Sequence, residues 1–566
     1  MNTSVALTPR SASRLAWRMW DPDRWLLTVS WVIPLAALIL FFAYPLSIVA
    51  LKSVTLADGR WGWDHYAQVL GGSTFWKALN NSLQMGAATT LVSTLLGLVV
   101  AYALHRCSVP GRGAIRALVS LPMLAPSLVQ GLGLIFLLGR NGLLSKSLGL
   151  EINIYGFWGL LIANSLYALP QAVLIIGASL RHTDARLYEA ATVIGSSSWR
   201  QFWDITLPSI KFALLSAAFV VFTVTITDFG NAATIGGNYT VLATEIYNQV
   251  AGQMNFNLGA VVGMLLLLPT VLAFYLERLA SQRQAAAISP SATPYQSERS
   301  WRRDAPLGLM SWLIVALPAL TIFIVVIVSF TQLWPYKFNW TLRHYSVSVA
   351  GGYDPLWTTI RLALGGALAG VVLQFFLGTA LQQVNRVLAQ AIYLICLLPA
   401  AVPGMVLGLS YIFAFNVPGS ALAMLYGSSV LLAMCNVMHY WTQAFVTTTS
   451  GLRQFPAALD ETATCMGAGY VRRLVDIVGP FALPTLVSVF FYLFMRAMVS
   501  LSGIVFLITP DLSVASVSIL RLDEAGSTSQ AAAYATCTMA VVVLASGLMS
   551  LTLAAVQRKR SDSKSA

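Results

Sequence analysis

Charge is what this chain of 566 residues most lacks. Only 10% of it is Asp, Glu, Lys or Arg, against 57% hydrophobic residues and a mean hydropathy of +0.72. A soluble domain has no use for that much apolar surface and could not keep it from aggregating. Cysteine is scarce as well. Cys107, Cys396, Cys435, Cys465 and Cys537 have no paired spacing, which argues against a disulfide framework or a thiolate metal site. The five histidines, at 65, 105, 182, 344 and 439, form no ligand cluster. Also missing are H-E-x-x-H, G-x-S-x-G and G-x-x-x-x-G-K-[ST]; Gly71-Gly72-Ser73-Thr74 and Gly111-Arg112-Gly113 lack the Lys-Ser/Thr ending of a phosphate loop. The chain therefore reads as no enzyme, holding no metal and no cofactor of its own.

What is present is a series of apolar runs. Trp25–Val49, Leu83–Leu104 and Leu309–Phe330 each exceed the roughly 20 residues that cross a bilayer core. Twelve such spans can be drawn, at about 26–49, 83–104, 115–138, 155–178, 209–228, 258–276, 309–330, 359–381, 389–413, 422–447, 481–508 and 533–556. Backbone polar groups cannot go unpaired in lipid, so the spans are helices and the fold is an all-α polytopic membrane protein. The first run follows a long basic leader and precedes no small-residue cleavage site, so it reads as a retained span.

The net charge of +13 follows from topology. With the N-terminus inside, segments on that side carry 24 Lys and Arg and the opposite side eight. This asymmetry predicts two cytoplasmic termini, at 1–25 and 558–566. Residues 279–306 interrupt the apolar pattern with Pro290 and a polar Ser-Pro-Gln-Arg stretch, and read as a cytoplasmic linker between halves at 26–278 and 307–557.

The halves repeat. Leu121-Pro122, Pro126 and Gly131 return as Leu398-Pro399, Pro403 and Gly408, a shift of 277; Glu189, Gly195, Ile205 and Pro208 return as Glu461, Gly467, Ile477 and Pro480, a shift of 272. The two six-span units run in parallel and are related by a pseudo-twofold axis along the membrane normal. Between the fourth and fifth spans of each half lies a loop of matching design. The first reads Leu187-Tyr188-Glu189-Ala190-Ala191 with Gly195 and then Ile205-Thr206-Leu207-Pro208; the second reads Leu459-Asp460-Glu461-Thr462-Ala463 with Gly467 and then Ile477-Val478-Gly479-Pro480. Thr183 or Asp184 suits an N-cap, and Pro456 the first turn of the second helix. Small residues at Ala190, Ala191 and Ala463 would let a partner surface approach closely. Gly195 and Gly467 suit left-handed C-caps, and Pro208 and Pro480 can open the next spans. One copy alone could be an ordinary interspan loop; two at identical internal spacing argue otherwise.

These loops resemble the EAA loop of ABC-type importer permeases, with Glu-Ala-Ala, Gly six residues after the Glu, then Ile-x-Leu-Pro. The second copy departs from it at Thr462 and Gly479. The resemblance implies type-1 transmembrane cores at about 79–276 and 354–556 and one fused chain forming the whole permease of a bacterial inner-membrane importer. It implies a cytoplasmic dimer of ATPase subunits that consume the ATP, an extracytoplasmic solute-binding protein, and no nucleic-acid partner. Carried over, Glu189, Ala190, Ala191, Gly195, Glu461, Ala463 and Gly467 are the ATPase contacts.

For the solute pathway, the pointer is a pair of Pro- or Gly-interrupted spans at matching places, here Pro122, Pro126 and Gly131 with Pro399, Pro403 and Gly408. The alternative is that each proline merely kinks its helix. Arg496 stands within a span, where ionisable groups are costly and usually functional; Asp228 reads as an outer-rim residue. A twelve-span secondary transporter and a non-transport scaffold are competing readings, and neither accounts for duplicated EAA loops. Fused permeases of this length resemble those for ferric iron, thiamine, polyamines and 2-aminoethylphosphonate. Leu507-Ile508-Thr509-Pro510-Asp511-Leu512 and Leu522-Asp523-Glu524-Ala525-Gly526 look most like the last group.

Overall fold

The computed structural model describes residues 22–56, 58–149, 152–287, 293, 295, 299–347 and 351–565. Nearly all of it is helix, with one two-stranded antiparallel hairpin (Thr331–Leu333 with Lys337–Trp340) after the seventh span. Among the described residues ten helices are long and apolar enough to cross a membrane, and a bent pair makes an eleventh. The tail 1–21 and most of the linker expectation at 288–298 lie outside the described residues.

Four of the twelve expected spans differ. The ninth is Arg386–Ala401 followed by Gly404–Phe415, bent by 103°. Pro403 lies at the bend, extended (ψ 144°), and has no N–H to continue the first segment. The tenth is divided at Tyr440 into Ser429–His439 and Trp441–Leu452. Its second piece is rich in Thr and Ser, which lowers its hydropathy. The eleventh, expected at 481–508, is a helix only to Val499; the chain then folds back through a non-helical stretch whose Leu501 and Ile504–Leu507 are buried in protein. Apolar residues continue past the helix end because protein, not lipid, surrounds them.

The third span is broken like the ninth, into Arg112–Ser120, a 3-10 turn at Leu121–Leu124, and Leu128–Leu138. The sixth span runs through Phe256–Ala287 and the seventh starts at Trp301, so helix reaches into both ends of the expected linker.

The halves exchange their first helices. Tyr44–Val54 packs on Gly404–Phe415 of the second half, and Pro22–Leu38 on Asp354–Ala380. Reciprocally, Trp301–Phe330 packs on Leu128–Leu138 and Ser73–Arg106 of the first half. Gly133 allows that contact, since a Cβ there would sit 2.3 Å from the Thr321 carbonyl oxygen. One hydrophobic core runs through both halves, so neither half closes its core without a helix from the other.

Candidate functional site

The two loops fold as twins. Ala185–Val193 and Ala457–Cys465 are both helices of 9 residues. Asp184 caps the first, its carboxylate accepting from the Arg186 N–H at 3.1 Å. Pro456 stands just before the second, one place earlier than the first turn expected of it. Both end at a left-handed glycine, Gly195 at φ +78° and Gly467 at φ +76°. The Ser196 N–H donates to the Ala191 carbonyl at 2.9 Å and the Ala468 N–H to the Ala463 carbonyl at 3.0 Å, the 6→1 bonds of a Schellman cap.

After each cap comes a four-residue turn, then a π-helical segment, Phe202–Thr206 or Leu474–Val478, then the fifth or eleventh span. The prolines explain the π geometry. Pro208 and Pro480 have no N–H and would press on the carbonyl four residues back, and a wider turn there relieves both problems. Exposed ion pairs brace each turn, Arg200–Asp204 at 3.2 Å and Arg472–Asp476 at 3.3 Å.

Burial sorts the expected contacts into two sets. Glu189, Ala190, Gly195, Glu461 and Gly467 are exposed. Neither glutamate forms an ion pair with another described residue. Ala191 and Ala463 are 8% and 5% exposed, so their small side chains seat the helices against this chain's own spans and are not open to a partner. Sequence reasoning missed the apolar residues that are open. Val193, Ile194 and Met466 are 88%, 83% and 83% exposed, joined by Leu187, Trp199 and Trp203 in the first loop and Leu459, Val471 and Val475 in the second. Their signal was an apolar residue directly before each cap glycine, on a loop that leaves it no core to enter. Each loop thus offers a rigid apolar knob with a free carboxylate beside it.

Among the described residues, the first loop and not the second is tied to the segment joining the halves. The Thr293 hydroxyl and N–H donate to Asp184 at 2.9 and 3.3 Å, and the Ala185 N–H donates to the Thr293 carbonyl at 3.0 Å. Tyr295 packs on Tyr188 with ring centroids 4.8 Å apart, and the buried Arg106 guanidinium lies over both rings at 4.4 and 4.8 Å. The Arg186 N–H first, and Thr293 second, hold the Asp184 carboxyl below its ordinary pKa.

Deeper in the membrane, the structure buries Pro122, Pro126, Gly131, Pro399, Pro403 and Gly408. They shape the broken spans without lining open space. Added Cβ atoms would lie 2.3 Å from Thr234 Oγ1 at Gly131 and 2.5 Å from the Gly503 carbonyl oxygen at Gly408, so these glycines permit close approach of the chain that follows the fifth and eleventh spans. In the first half a polar network fills that junction. Asn231 Nδ2 donates to Asn164 Oδ1 at 3.0 Å, the Gly131 N–H to Asn231 Oδ1 at 3.2 Å, and the Asn231 N–H to Asp228 at 2.9 Å. Asp228 accepts the Asn231 N–H in the first turn of the short helix Gly230–Ile235 and is not a free rim charge. Arg496 stands at the same level in the second half. It is partly exposed, its guanidinium 5.9 Å from the Tyr440 and Tyr492 ring centroids.

Two matching halves with exchanged first helices, paired loops and broken central spans define a membrane permease. The chain belongs to the family of binding-protein-dependent transport system inner membrane components, whose model matches residues 93–285 and 366–561. It is 28% identical to the ferric transport system permease protein FbpB of Actinobacillus pleuropneumoniae, over 89% of this chain and 75% of that protein. It is 26% identical to the thiamine transport system permease protein ThiP of Escherichia coli, over 66% of this chain and 70% of that protein. It is 26% identical to the sulfate transport system permease protein CysW of Synechococcus elongatus, over 44% of this chain and 90% of that protein. As a fused two-half permease of an ABC importer, it works with a solute-binding protein and with separate ATPase subunits.

Proposed function

We propose that Ala185–Val193 and Ala457–Cys465 are the coupling helices through which an ATPase dimer drives solute across this permease. Glu189, Ala190, Gly195, Glu461 and Gly467 are contacts in that dock, with Val193, Ile194 and Met466 at its centre, while Ala191 and Ala463 act from behind by seating the helices. The observation that carries this reading is the pair of helices with the same glycine C-cap presenting exposed apolar residues at equivalent places. A groove on each ATPase subunit would bury those residues and pair a basic group with each glutamate at the helix middle. Purified complex supplies the test: ATP hydrolysis stimulated by loaded binding protein is expected, and its loss on removing the apolar residues. Stimulation unaffected by their removal would discard the docking assignment.

In this reading the coupling face, both termini and the 279–306 linker are cytoplasmic, supported by the 24-to-8 charge asymmetry. A reporter fused after residue 290 that is active only outside the cytoplasm would reverse it. The solute passes between the halves where the third and ninth spans are broken, beside Arg496.

The solute assigned is 2-aminoethylphosphonate, on the strength of the stretches 507–512 and 522–526. The spans carry few acidic groups, which suits a small zwitterion better than a cationic polyamine. Ferric iron is the second reading, favoured by the relative that matches along 89% of the chain, and thiamine the third. Uptake of labelled 2-aminoethylphosphonate and of ferric iron, with and without this gene, decides among them. Unchanged phosphonate uptake in a deletion strain with no other importer would remove the first.

A further inference from the structure

The two halves differ at a set of matching positions within their spans. Shifting by 272, Tyr440, Tyr492 and Arg496 of the second half correspond to Ala168, Val220 and Val224 of the first, while His439 corresponds to Tyr167. Three small or aliphatic positions on one side of the pseudo-axis have become two phenols and a guanidinium on the other. Tyr167, His439, Tyr440, Tyr492 and Arg496 are all partly exposed, although all belong to spans. The Tyr167 hydroxyl, from the first half, and the Tyr492 hydroxyl both lie within reach of the Arg496 guanidinium, so this cluster faces the seam between the halves and not lipid.

Arg496 lies roughly 25 Å along the helix from Gly479, at about 1.5 Å per residue, and so within a hydrocarbon core of about 30 Å. A cation at that depth is expensive unless something compensates it. Among the described residues no carboxylate is within ion-pair distance of it. Two tyrosine faces soften the cost through cation–π contact without neutralising the charge.

Beside it the second half leaves polar atoms unpaired. Asn436 corresponds to Asn164, but Gly503 stands where Asn231 bonds that residue in the first half. Asn436 is 3% exposed, and among the described residues neither its Nδ2 nor its Oδ1 has a partner, nor has His439 Nδ1. Asn436, His439 and Tyr440 are spaced i, i+3 and i+4, which places them on one side of the helix. The ring of His439 packs against Gly404, where the bent ninth span restarts.

We propose that Arg496, with Tyr167, Tyr440, Tyr492 and the amide of Asn436, forms a transient binding site in the pathway for the oxyanion group of a small solute, a phosphonate or a carboxylate. The inference rests on the chain being the solute pathway, and it narrows the substrate class. The planar guanidinium fork matches two oxyanion oxygens, and each phenol can accept from the guanidinium while donating its own proton to the anion. The site is one-sided, because Val224, Ala168 and Val220 of the first half stand where the second has Arg496, Tyr440 and Tyr492, and Asn164, the counterpart of Asn436, is bonded to Asn231. A lone cation with unsatisfied donors suits a group that must bind briefly and leave.

The test uses the permease–ATPase complex in phosphatidylcholine nanodiscs, with methylphosphonate as probe and phosphorus NMR line broadening as readout. Saturable broadening is expected, at least about tenfold weaker in Arg496→Gln, as for loss of a charge-assisted bond, and partly restored in Arg496→Lys. Tyr492→Phe keeps the ring and the packing and is expected to weaken binding about threefold. It carries the test should Arg496→Gln fail to assemble, as judged by gel filtration and thermal transition. Absence of saturable binding, or binding equal in wild type and in the assembled variants, overturns the site. So does displacement of the probe when phosphatidylglycerol replaces phosphatidylcholine, which would make a lipid headgroup the occupant. Arg496-dependent binding without 2-aminoethylphosphonate uptake would discard that substrate and keep the site; uptake indifferent to Arg496 would do the reverse.

Discussion

The two halves of this permease agree closely at one membrane face and part company in the middle. At the paired loops proposed for coupling the repeat is kept element by element, including the glycine caps, the π segments and the Arg–Asp pairs. Within the spans the first half closes an Asn–Asn–Asp network, where the second leaves Asn436 without a partner among the described residues and Arg496 without a carboxylate. On the proposed reading each loop docks an ATPase subunit, and a shared docking task holds the loops alike. Its pathway meets one solute lacking twofold symmetry, which lets the walls diverge.

The severest way to break the agreement is at the glutamates. Glu189→Lys with Glu461→Lys is expected to abolish uptake while the permease still reaches the membrane, because each change puts a cation against a basic groove. Of the single changes, Glu189→Lys should cost more, since the second copy is the more degenerate. Normal transport in the double variant would remove the role. Next come the apolar knobs. Ile194 and Met466 are equally exposed at equivalent places, so Ile194→Asp and Met466→Asp should each weaken ATPase binding about tenfold. The flanking residues differ, and there the halves should separate: Trp199→Ala should cost more than Val471→Ala, because aromatic anchors dominate interfaces. Binding by surface plasmon resonance reads both pairs.

The two capped loop helices were legible in the sequence because their signals are local. A cap, six residues and a glycine fix a short helix wherever it lies. Burial is not local, and so Ala191 and Ala463, which look like open contacts, turned out to face inward. Hydropathy also failed where protein replaces lipid. The buried stretch after Val499 reads as span, and the Thr-rich half of the tenth span reads as weaker span than it is. The cluster around Arg496 was half legible. A charge in a span stands out, but Tyr440, Tyr492 and Asn436 are ordinary residues for a permease, and only the fold brings them beside it.

A smaller effect is expected at the contact that one half has and the other lacks. Thr293→Val with Tyr295→Ala should release the segment joining the halves from the first coupling helix. ATPase docking should survive, with uptake falling a few-fold and basal hydrolysis rising, because a loosened helix transmits motion less faithfully. The second loop is an internal control, since hydrogen exchange should increase at Ala185–Val193 and not at Ala457–Cys465. With the Asp184 carboxyl held below its ordinary value, the strap is intact at neutral pH. Its contribution is present above about pH 4 and is lost as pH falls through the lowered value. Equal exchange in both helices would mean the strap constrains nothing.

The smallest expected effect belongs to the opposite face, and it too is confined to one half. Both halves place a short helix there, its first N–H bound by a hydroxyl of the second or eighth span: Ser82 to Leu242 at 2.7 Å and Thr359 to Ala515 at 2.8 Å. The first helix runs on to Ala251-Gly252, whereas the second ends in Asp523-Glu524, with Asp523 close to Tyr155 of the first half. Burial, then the neighbouring Glu524, pushes the Asp523 carboxyl up to about 6. A raised value means the folded protein holds that proton more tightly than the unfolded chain does. The stabilisation is complete below about pH 4 and is lost as pH rises through 6, leaving a buried charge at pH 7.5. Asp523→Asn should therefore stabilise the permease at pH 7.5, by about 1 kcal/mol after allowing for partial solvation, and hardly at all at pH 4.5. Thermal transitions at the two pH values check it. An equal shift at both would show that the gain comes from packing, and that Asp523 carries no charge penalty in the fold.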